Sequence, residues 1–169
     1  QGDGMLCSEK ELGISEEAAG IWILDPETPI GCDFIDYATL SDTVLDIAIL
    51  PNRGDCQSVI GIAREVARIT GLELQYPALT LSQSSDNCPI TLSVDDTQRC
   101  PKYIGRYITD VQHNDSPLWM QRRLSVMGIR PISLIVDITN YVLLETGQPL
   151  HAFSADKLQD NAITVRTAK

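Results

Sequence analysis

The strongest helical pattern of apolar positions lies between Cys56 and Thr70. Apolar residues recur there at steps of three and four, from Val59 to Ile69, so they share one face of a helix. Asp55 precedes this run and is predicted to be the N-cap, because a carboxylate can accept the free N–H groups of a first helical turn. Gly71 follows and is predicted to end the helix in the left-handed conformation.

Two further helices are predicted in the second half of the chain. The first spans Pro117–Met127, with Ser116 as N-cap, proline at the first helical position and Gly128 after its end. The second lies between Ser133, a candidate N-cap, and Gly147, a candidate C-terminal glycine. Many residues of this second helix are β-branched, which lowers helix propensity, but the signals at both ends favour a helix.

Short apolar or alternating runs predict strands elsewhere. Residues 77–98 contain two prolines and four serines and are interpreted as a mostly extended linker. The fold class predicted from these patterns is therefore α+β. The predicted strands are Ile21–Leu24, Leu45–Leu50, Ile90–Val94, Lys102–Val111 and Ile163–Thr167.

Charge divides the chain unequally. The 169 residues carry a formal net charge of −10, which separates into −13 for residues 1–98 and +3 for residues 99–169. Such asymmetry indicates two parts with different roles, of which the second could meet an anion such as nucleic acid. A solvated surface remains the alternative.

Several protein classes and sites are excluded or disfavoured by what the chain lacks. No apolar run approaches the 18 residues of a membrane helix, and no secretory signal is visible, so no membrane association is expected. Five cysteines without a CxxC pair, and only two histidines, give no support for zinc, so no metal site is predicted. Reduced cysteines of this kind are typical of a cytoplasmic protein.

Three polar residues are candidates for a site. Thr139 and Asn140 lie in the middle of an otherwise apolar helix, and His151 follows a turn at Gln148-Pro149. They could line a pocket together. The alternatives are a threonine bonded back to its own helix, an asparagine on the helix face and a histidine bonded to a backbone group.

Three groups of motifs, in order along the chain, closely resemble the bacterial phenylalanyl-tRNA synthetase β subunit. The last group resembles its editing domain, the middle group its small helical domain, and the first group the edge of its inserted OB-fold tRNA-binding domain. The motifs that resemble the editing domain are Ile129–Ser133, Val136–Val142 and Glu145–Phe153. Those that resemble the small helical domain are Pro51–Cys56 and Ile62–Ala67. Those that resemble the edge of the OB-fold domain are Gly4–Ser8 and Glu11–Gly13.

The resemblance implies a fragment of a longer subunit. Its expected parts are residues 1–20 as the tail of the OB-fold insertion, 21–76 as a small helical scaffold domain, 77–98 as the linker and 99–169 as the first part of an incomplete mixed α/β editing domain. The family hydrolyses mischarged Tyr-tRNA(Phe). Aminoacylation, with its ATP and magnesium, belongs to the partner α subunit of an α2β2 heterotetramer, so no cofactor is expected in this segment.

The resemblance also implies roles for individual residues. Thr139, Asn140 and His151 fall on positions of the editing pocket, with Pro149 and Leu150 beside them. His151 is expected to position the terminal adenosine of tRNA or the attacking water, and the other two to hold water or the ester by hydrogen bonds. The alternative is a module without catalysis that contacts tRNA or serves as a scaffold between subunits.

Basic residues of the second half are the candidates for binding tRNA(Phe), a hypothesis that rests on local charge. For the pair at the end of the predicted helix, interaction with the helix dipole is the alternative. Two residues depart from the family pattern, Leu134 in place of a polar residue and Ser154 in place of aspartate. The candidate tRNA-binding residues are Arg99, Lys102, Arg106, Arg122 and Arg123.

Overall fold

Helices and one small sheet occur together in the chain, which confirms the α+β class at this coarse level. The computed structural model describes residues 4–16, 18–81, 87–112 and 114–168. The chain comprises two compact units, Gln1–Ala38 and Thr39–Lys169. None of the helices in the described ranges has the length and apolar character that a membrane crossing requires.

The first unit is built mainly from turns, with one short helix, α1, at Phe34–Tyr37. Asp33 caps α1 by accepting the N–H groups of its first turn. Near the start of the unit, Ser8 and Glu11 bond reciprocally, the Ser8 N–H donating to Glu11 Oε2 at 2.8 Å. Residues 1–3 and 17 of the predicted 1–20 tail lie outside the described residues.

Three longer helices build the second unit: α2 at Val59–Thr70, α3 at Leu118–Val126 and α4 at Leu134–Thr146. Helix α4 packs against both α2 and α3. Met120 and Leu124 of α3 are buried at this junction, so the apolar contact that holds the helices together is small.

The sheet has two parallel strands, β1 at Thr91–Val94 and β2 at Ala162–Val165. Thr91 pairs with Ala162 and Val94 with Val165. The strand predicted at Ile90–Val94 inside the linker therefore pairs with the end of the 99–169 region. Residues 82–86 of the predicted linker lie outside the described residues.

The predicted N-cap residues of α2 and α3, Asp55 and Ser116, are wrong. Residues Gly54–Cys56 form a separate 3₁₀ turn, α2 starts at Val59, and Ser58 caps it by accepting the Gly61 N–H at 3.1 Å. Asp55 binds Arg53 instead. At α3 the N-cap residue is Pro117, without a side-chain bond, because the Ser116 hydroxyl donates to another helix.

Three predicted strands are not formed. The structure has no regular strand over Ile21–Leu24, Leu45–Leu50 or Lys102–Val111. Alternating apolar residues suit a strand only where another strand supplies a ladder of hydrogen bonds. Within the described residues no such ladder forms here, although the Trp22 N–H donates one bond to the Cys7 carbonyl at 2.9 Å. Lys102–Val111 contacts the sheet by its glycine: a Cβ on Gly105 would lie 3.1 Å from Leu92 Cδ1 of β1.

Candidate functional site

Thr139 and Asn140 lie side by side in α4, and both are half-buried. The Thr139 hydroxyl donates to the Val136 carbonyl at 2.7 Å, which is the back-bonded arrangement expected if threonine serves the helix. Its oxygen still carries lone pairs that can accept a hydrogen bond. The Asn140 side chain makes no hydrogen bond to any described residue, so its amide is available to a ligand.

His151 lies on an extended segment beyond the end of α4 and is exposed. Its ring meets the ring of Phe153, with centroids 4.5 Å apart and planes at 62°. Neither ring nitrogen bonds a backbone group within the described residues. The alternative role of this histidine, in which its ring is held by a backbone group, is therefore not observed there. Pro149 and Leu150, which precede it, are exposed as well.

The three candidates therefore occupy two neighbouring parts of the chain. Thr139 and Asn140 are fixed by α4, whereas His151 depends on the turn that follows the helix. No hydrogen bond joins His151 to either of them in the part of the chain that the structure describes. Any common action of the three would have to pass through a bound molecule.

The end of α4 is held where the chain leaves for His151. Gly147 has φ 78°, and its N–H donates to the Leu143 carbonyl at 2.8 Å. A Cβ added to Gly147 would lie 3.5 Å from Cβ of Ser58, the N-cap of α2. The start of one helix thus supports the end of another, and glycine is needed for the left-handed turn.

The start of α4 is held by a residue that sequence reasoning missed, Asp137. Its side chain is 1% exposed and accepts hydrogen bonds from the Ser116 hydroxyl at 2.5 Å and the Ile132 N–H at 2.9 Å. Ser133 is the N-cap residue as predicted, but its hydroxyl makes no capping bond. The available signal was a carboxylate within an apolar helical run, which must be paired if it is buried.

Two of the predicted tRNA-binding residues are engaged within the protein. Arg123 donates to the Tyr141 hydroxyl at 2.7 Å and lies over the Trp119 ring, 5.4 Å from its centroid. The Trp119 and Tyr141 rings are also in edge contact. Arg99 forms an ion pair with Asp96 at 3.5 Å. These side chains have structural partners already.

The other three basic candidates differ in surroundings. Arg122 is half-buried, and its Nε has no hydrogen-bond partner in the described part of the chain. Lys102 and Arg106 are exposed and form no ion pair with a described residue. Lys102 and Arg106 therefore present the cations that are most available to an external anion.

Four side chains form a charged cluster at the start of α2. Arg53 donates to both carboxylate oxygens of Asp55, at 3.0 and 2.8 Å, and to Glu65 at 2.7 Å. This pairing lowers the pKa of Asp55 to about 2, lowers that of Glu65 and raises that of Arg53. Burial chiefly raises the pKa of the Cys56 thiol, which disfavours the thiolate.

This cluster does not fit a magnesium ion. Asp55, Cys56 and Glu65 could bring three ligand atoms within 4.8 Å of one another. The guanidinium of Arg53 already lies against both carboxylates, and a thiol is a poor ligand for magnesium. The ion pairs with Arg53 therefore occupy the carboxylates that a metal ion would need.

A separate cavity of about 490 Å³ lies beside the carboxyl ends of β1 and β2, lined by residues 95–98 and 166–168. None of the predicted site residues lines it. The cavity is therefore distinct from the candidate residues on α4 and its continuation.

Residues 99–169 match the B3/4 domain family. Over 97% of its length the chain is 48% identical to the phenylalanine–tRNA ligase β subunit of Syntrophus aciditrophicus, of which it covers 21%. It is 46% identical over 98% of its length to that of Geobacter sulfurreducens, covering 21%, and 44% identical over its whole length to that of Geobacillus kaustophilus, covering 22%. The chain spans about a fifth of the length of these curated relatives.

Proposed function

Because the chain is 48% identical over 97% of its length to a phenylalanine–tRNA ligase β subunit, we propose that it belongs to this family and that it contributes to hydrolysis of mischarged Tyr-tRNA(Phe). The observation that carries the proposal is the state of the three polar candidates. Asn140 and His151 have side chains without hydrogen bonds to any described residue, and Thr139 retains acceptor lone pairs. All three lie inside the B3/4 match.

A second site is useful because tyrosine differs from phenylalanine by one hydroxyl group, which a hydrophobic pocket rejects only weakly. In the proposed reaction, the oxygen of water attacks the ester carbonyl at the 3′ end of the tRNA. The carbonyl–ribose oxygen bond breaks, and tyrosine and a free ribose hydroxyl are released. A proton passes from the water to the leaving ribose oxygen.

Each candidate has a role in this reaction. His151 positions the terminal adenosine or the water, and the unbonded nitrogens of its ring can donate or accept for this purpose. Thr139 accepts from the water through its remaining lone pairs, and Asn140 bonds the ester or the water through its amide. Holding the water and the carbonyl in a reactive geometry is the main contribution expected from such groups. Pro149 and Leu150, which precede His151, are proposed to help bind the substrate.

The remaining functions of the enzyme are assigned outside these residues. We place aminoacylation, ATP and magnesium on an α subunit. Two such subunits and two copies of the parent β subunit would form a cytoplasmic heterotetramer. Within this chain the proposed division is residues 1–20 as the tail of an OB-fold insertion, 21–76 as scaffold, 77–98 as linker and 99–169 as editing region. The contact of Gly147 with Ser58 supports the scaffold role of 21–76.

The test of the editing role uses the complete α/β complex carrying this β subunit. We would measure single-turnover deacylation of Tyr-tRNA(Phe) and of Phe-tRNA(Phe) for the wild type and for His151→Ala. The matched control is Gln159→Ala, an exposed polar residue of a nearby 3₁₀ turn. The proposal expects the tyrosyl ester to be cleared selectively and His151→Ala to be slower by about 100-fold.

An unchanged rate in His151→Ala, with normal tRNA binding, would remove His151 from the mechanism. A wild-type complex that does not clear the tyrosyl ester would refute the editing role itself. A slow Gln159→Ala variant would attribute the effect to general damage of this region.

The tRNA-binding role rests on Lys102 and Arg106, whose cations have no partner among the residues that the structure describes. Replacing either with glutamine should weaken tRNA(Phe) binding and lower the slope of log affinity against log salt by about 1. The control is Arg68→Gln on the exposed side of α2. An unchanged slope in both variants would assign these two residues to the solvated surface.

A scaffold role without catalysis is the second candidate, and exposed apolar side chains favour it. Ile104 is 75% exposed and Ile108 66% exposed, on the unpaired segment that contacts β1 at Gly105. Exposed apolar groups close together are typical of surfaces that meet another protein. Ile104→Ser and Ile108→Ser should loosen the α/β complex under this reading, and leave it intact if the segment has no such role.

A further inference from the structure

Asp137 is the polar residue that the helix α4 buries most completely. Its side chain is 1% exposed and, with Leu124, is among the largest fully buried side chains of the described residues. A buried carboxyl group is costly unless its oxygens are hydrogen-bonded. Its presence in an apolar stretch of α4 therefore calls for a role that an apolar residue could not fill.

The hydrogen bonds of Asp137 connect three separate pieces of the chain. One oxygen accepts from the Ser116 hydroxyl at 2.5 Å and the other from the Ile132 N–H at 2.9 Å. Ser116 is 5% exposed, and its carbonyl accepts from Gln121 Nε2 at 2.6 Å. Ser116 (two residues before α3), the turn before α4 and the body of α4 are thus joined at one carboxyl group.

This joint lies two and three residues from Thr139 and Asn140. The Asp137 N–H donates to the Ser133 carbonyl at 2.8 Å, and the Thr139 hydroxyl is bonded to Val136, so this turn of α4 is internally tied. A shift at Asp137 would therefore move Thr139 and Asn140 with the helix. In reactions that depend on orientation, a displacement of about 1 Å can cost about 100-fold in rate.

We infer that Asp137 is a positioning residue for the hydrolytic site, acting through its bonds to Ser116 and Ile132 on the placement of Thr139 and Asn140. This inference rests on the proposed function. Asp137 itself meets no substrate, since its side chain is enclosed. Its contribution is geometric, and a neutral group of the same shape should supply it.

Two substitutions separate geometry from charge. Asp137→Asn keeps the shape, with its amide oxygen accepting from Ile132 and its amide nitrogen donating to the Ser116 oxygen. Asp137→Ala removes both bonds. In the complete α/β complex, Asp137→Ala should lower kcat for Tyr-tRNA(Phe) deacylation by about 100-fold with little change in KM, whereas Asp137→Asn should stay within about threefold.

Two further variants complete the test: one is a control, and the other replaces Asp137→Ala if that variant does not assemble. Ser133→Ala changes an exposed hydroxyl on the same turn that makes no capping bond, and should keep the wild-type rate. Ser116→Ala removes one of the two bonds and should give an intermediate loss of kcat. Aminoacylation of tRNA(Phe) by each preparation would establish that the complex is assembled.

The outcomes distinguish the two proposals. If the wild-type complex does not hydrolyse the tyrosyl ester, the proposed function fails and this inference fails with it. If the wild type hydrolyses it and Asp137→Ala equals Ser133→Ala, the positioning role alone is refuted. A variant Asp137→Asn as slow as Asp137→Ala would also refute it, because charge and not geometry would then matter. Should Asp137→Ala fail to assemble, a wild-type rate in Ser116→Ala would overturn the inference.

Discussion

Two carboxylates hold the starts of two helices in this protein, and they do so by opposite means. Asp55, before α2, is exposed and paired with the cation of Arg53. Asp137, in the first turns of α4, is buried and bonded by two neutral donors, Ser116 and Ile132. The first arrangement depends on charge, and the second on shape and enclosure.

The difference determines which conditions each region tolerates. Exposed ion pairs are weakened by salt and water and contribute little to stability. Low pH and high ionic strength should therefore weaken the ion pairs of the Arg53 cluster. Hydrogen bonds inside a packed interior are insensitive to salt but costly to break, because each released group stays buried without a partner. The helix that carries the candidate site is held in the second way.

The largest effect is expected at the buried carboxyl group. Asp137→Ala leaves the Ser116 hydroxyl and the Ile132 N–H without partners, at a cost of about 3 kcal/mol in the local free energy of opening. Hydrogen exchange of peptides covering α4 in the full-length subunit would measure it. Asp137→Asn is the control, and equal protection in all three proteins would contradict the account.

A smaller effect is expected beside the exposed cluster. Gly61 is buried in α2, and an added Cβ would lie 1.9 Å from the Asp55 carbonyl oxygen, so the turn that presents Asp55 would have to move. Gly61→Ala should cost about 2 kcal/mol, measured by exchange of α2 peptides. Gly54→Ala, where a Cβ meets nothing within 4 Å, is the matched control. Two variants of equal stability would show that this contact is relaxed easily.

At the other end of α4, Gly147→Ala should cost about 1 kcal/mol, because φ 78° strains any residue with a Cβ. The change lies four residues before His151, so it should also slow Tyr-tRNA(Phe) deacylation more than it weakens tRNA binding. Parallel measurements of the two would check this. A loss confined to tRNA binding would contradict the support proposed for His151.

Asp55 should make the stability of the protein depend on pH. Arg53 lowers the pKa of Asp55 to about 2 from its ordinary value of 3.8. The stability that this shift adds is therefore fully present above pH 3.8 and is lost as the pH falls towards 2. The free energies of unfolding of the wild type and of Asp55→Asn should therefore converge as the pH falls across this interval. Curves of unfolding free energy against pH that stay parallel would refute the pairing of Asp55 with Arg53.

The smallest expected effect is a gain. Ser154 is the N-cap residue of the 3₁₀ turn Ala155–Lys157 but makes no side-chain capping bond. Ser154→Asp introduces the residue that the resemblance implies at this position and should stabilise the turn by about 0.5 kcal/mol. A comparison of thermal midpoints would detect it, with Ser154→Ala as control, and no difference between the two would rule out capping here.

Features set by neighbouring residues could be predicted from the sequence. The ends of α2 and α4 were predicted at Gly71 and Gly147, and both glycines adopt the left-handed conformation. The position of Ser133 before α4 was also correct, whereas the predicted apolar face of α2 is largely exposed, with Val59 and Ile69 open to solvent. These features depend on propensity and on hydrogen bonds within a few residues of one another.

Features set by distant residues could not be predicted in this way. Ser116 has the local pattern of an N-cap, but its hydroxyl bonds Asp137, 21 residues away. The parallel pairing of β1 with β2 joins residues 71 positions apart, and the predicted strand Lys102–Val111 fails for lack of a partner. For the candidate site, the sequence supplied the residues, whereas the anchor at Asp137 and the support at Ser58 required the structure.

Our central proposal is that Thr139 and His151 act on one bound ester, although no hydrogen bond joins them. It is tested most directly by a double-mutant cycle of Thr139→Val and His151→Ala, read as single-turnover deacylation of Tyr-tRNA(Phe) by the complete α/β complex. We expect strong coupling, with the double variant about as slow as the slower single variant. Effects that multiply independently, or single variants at the wild-type rate, would contradict it.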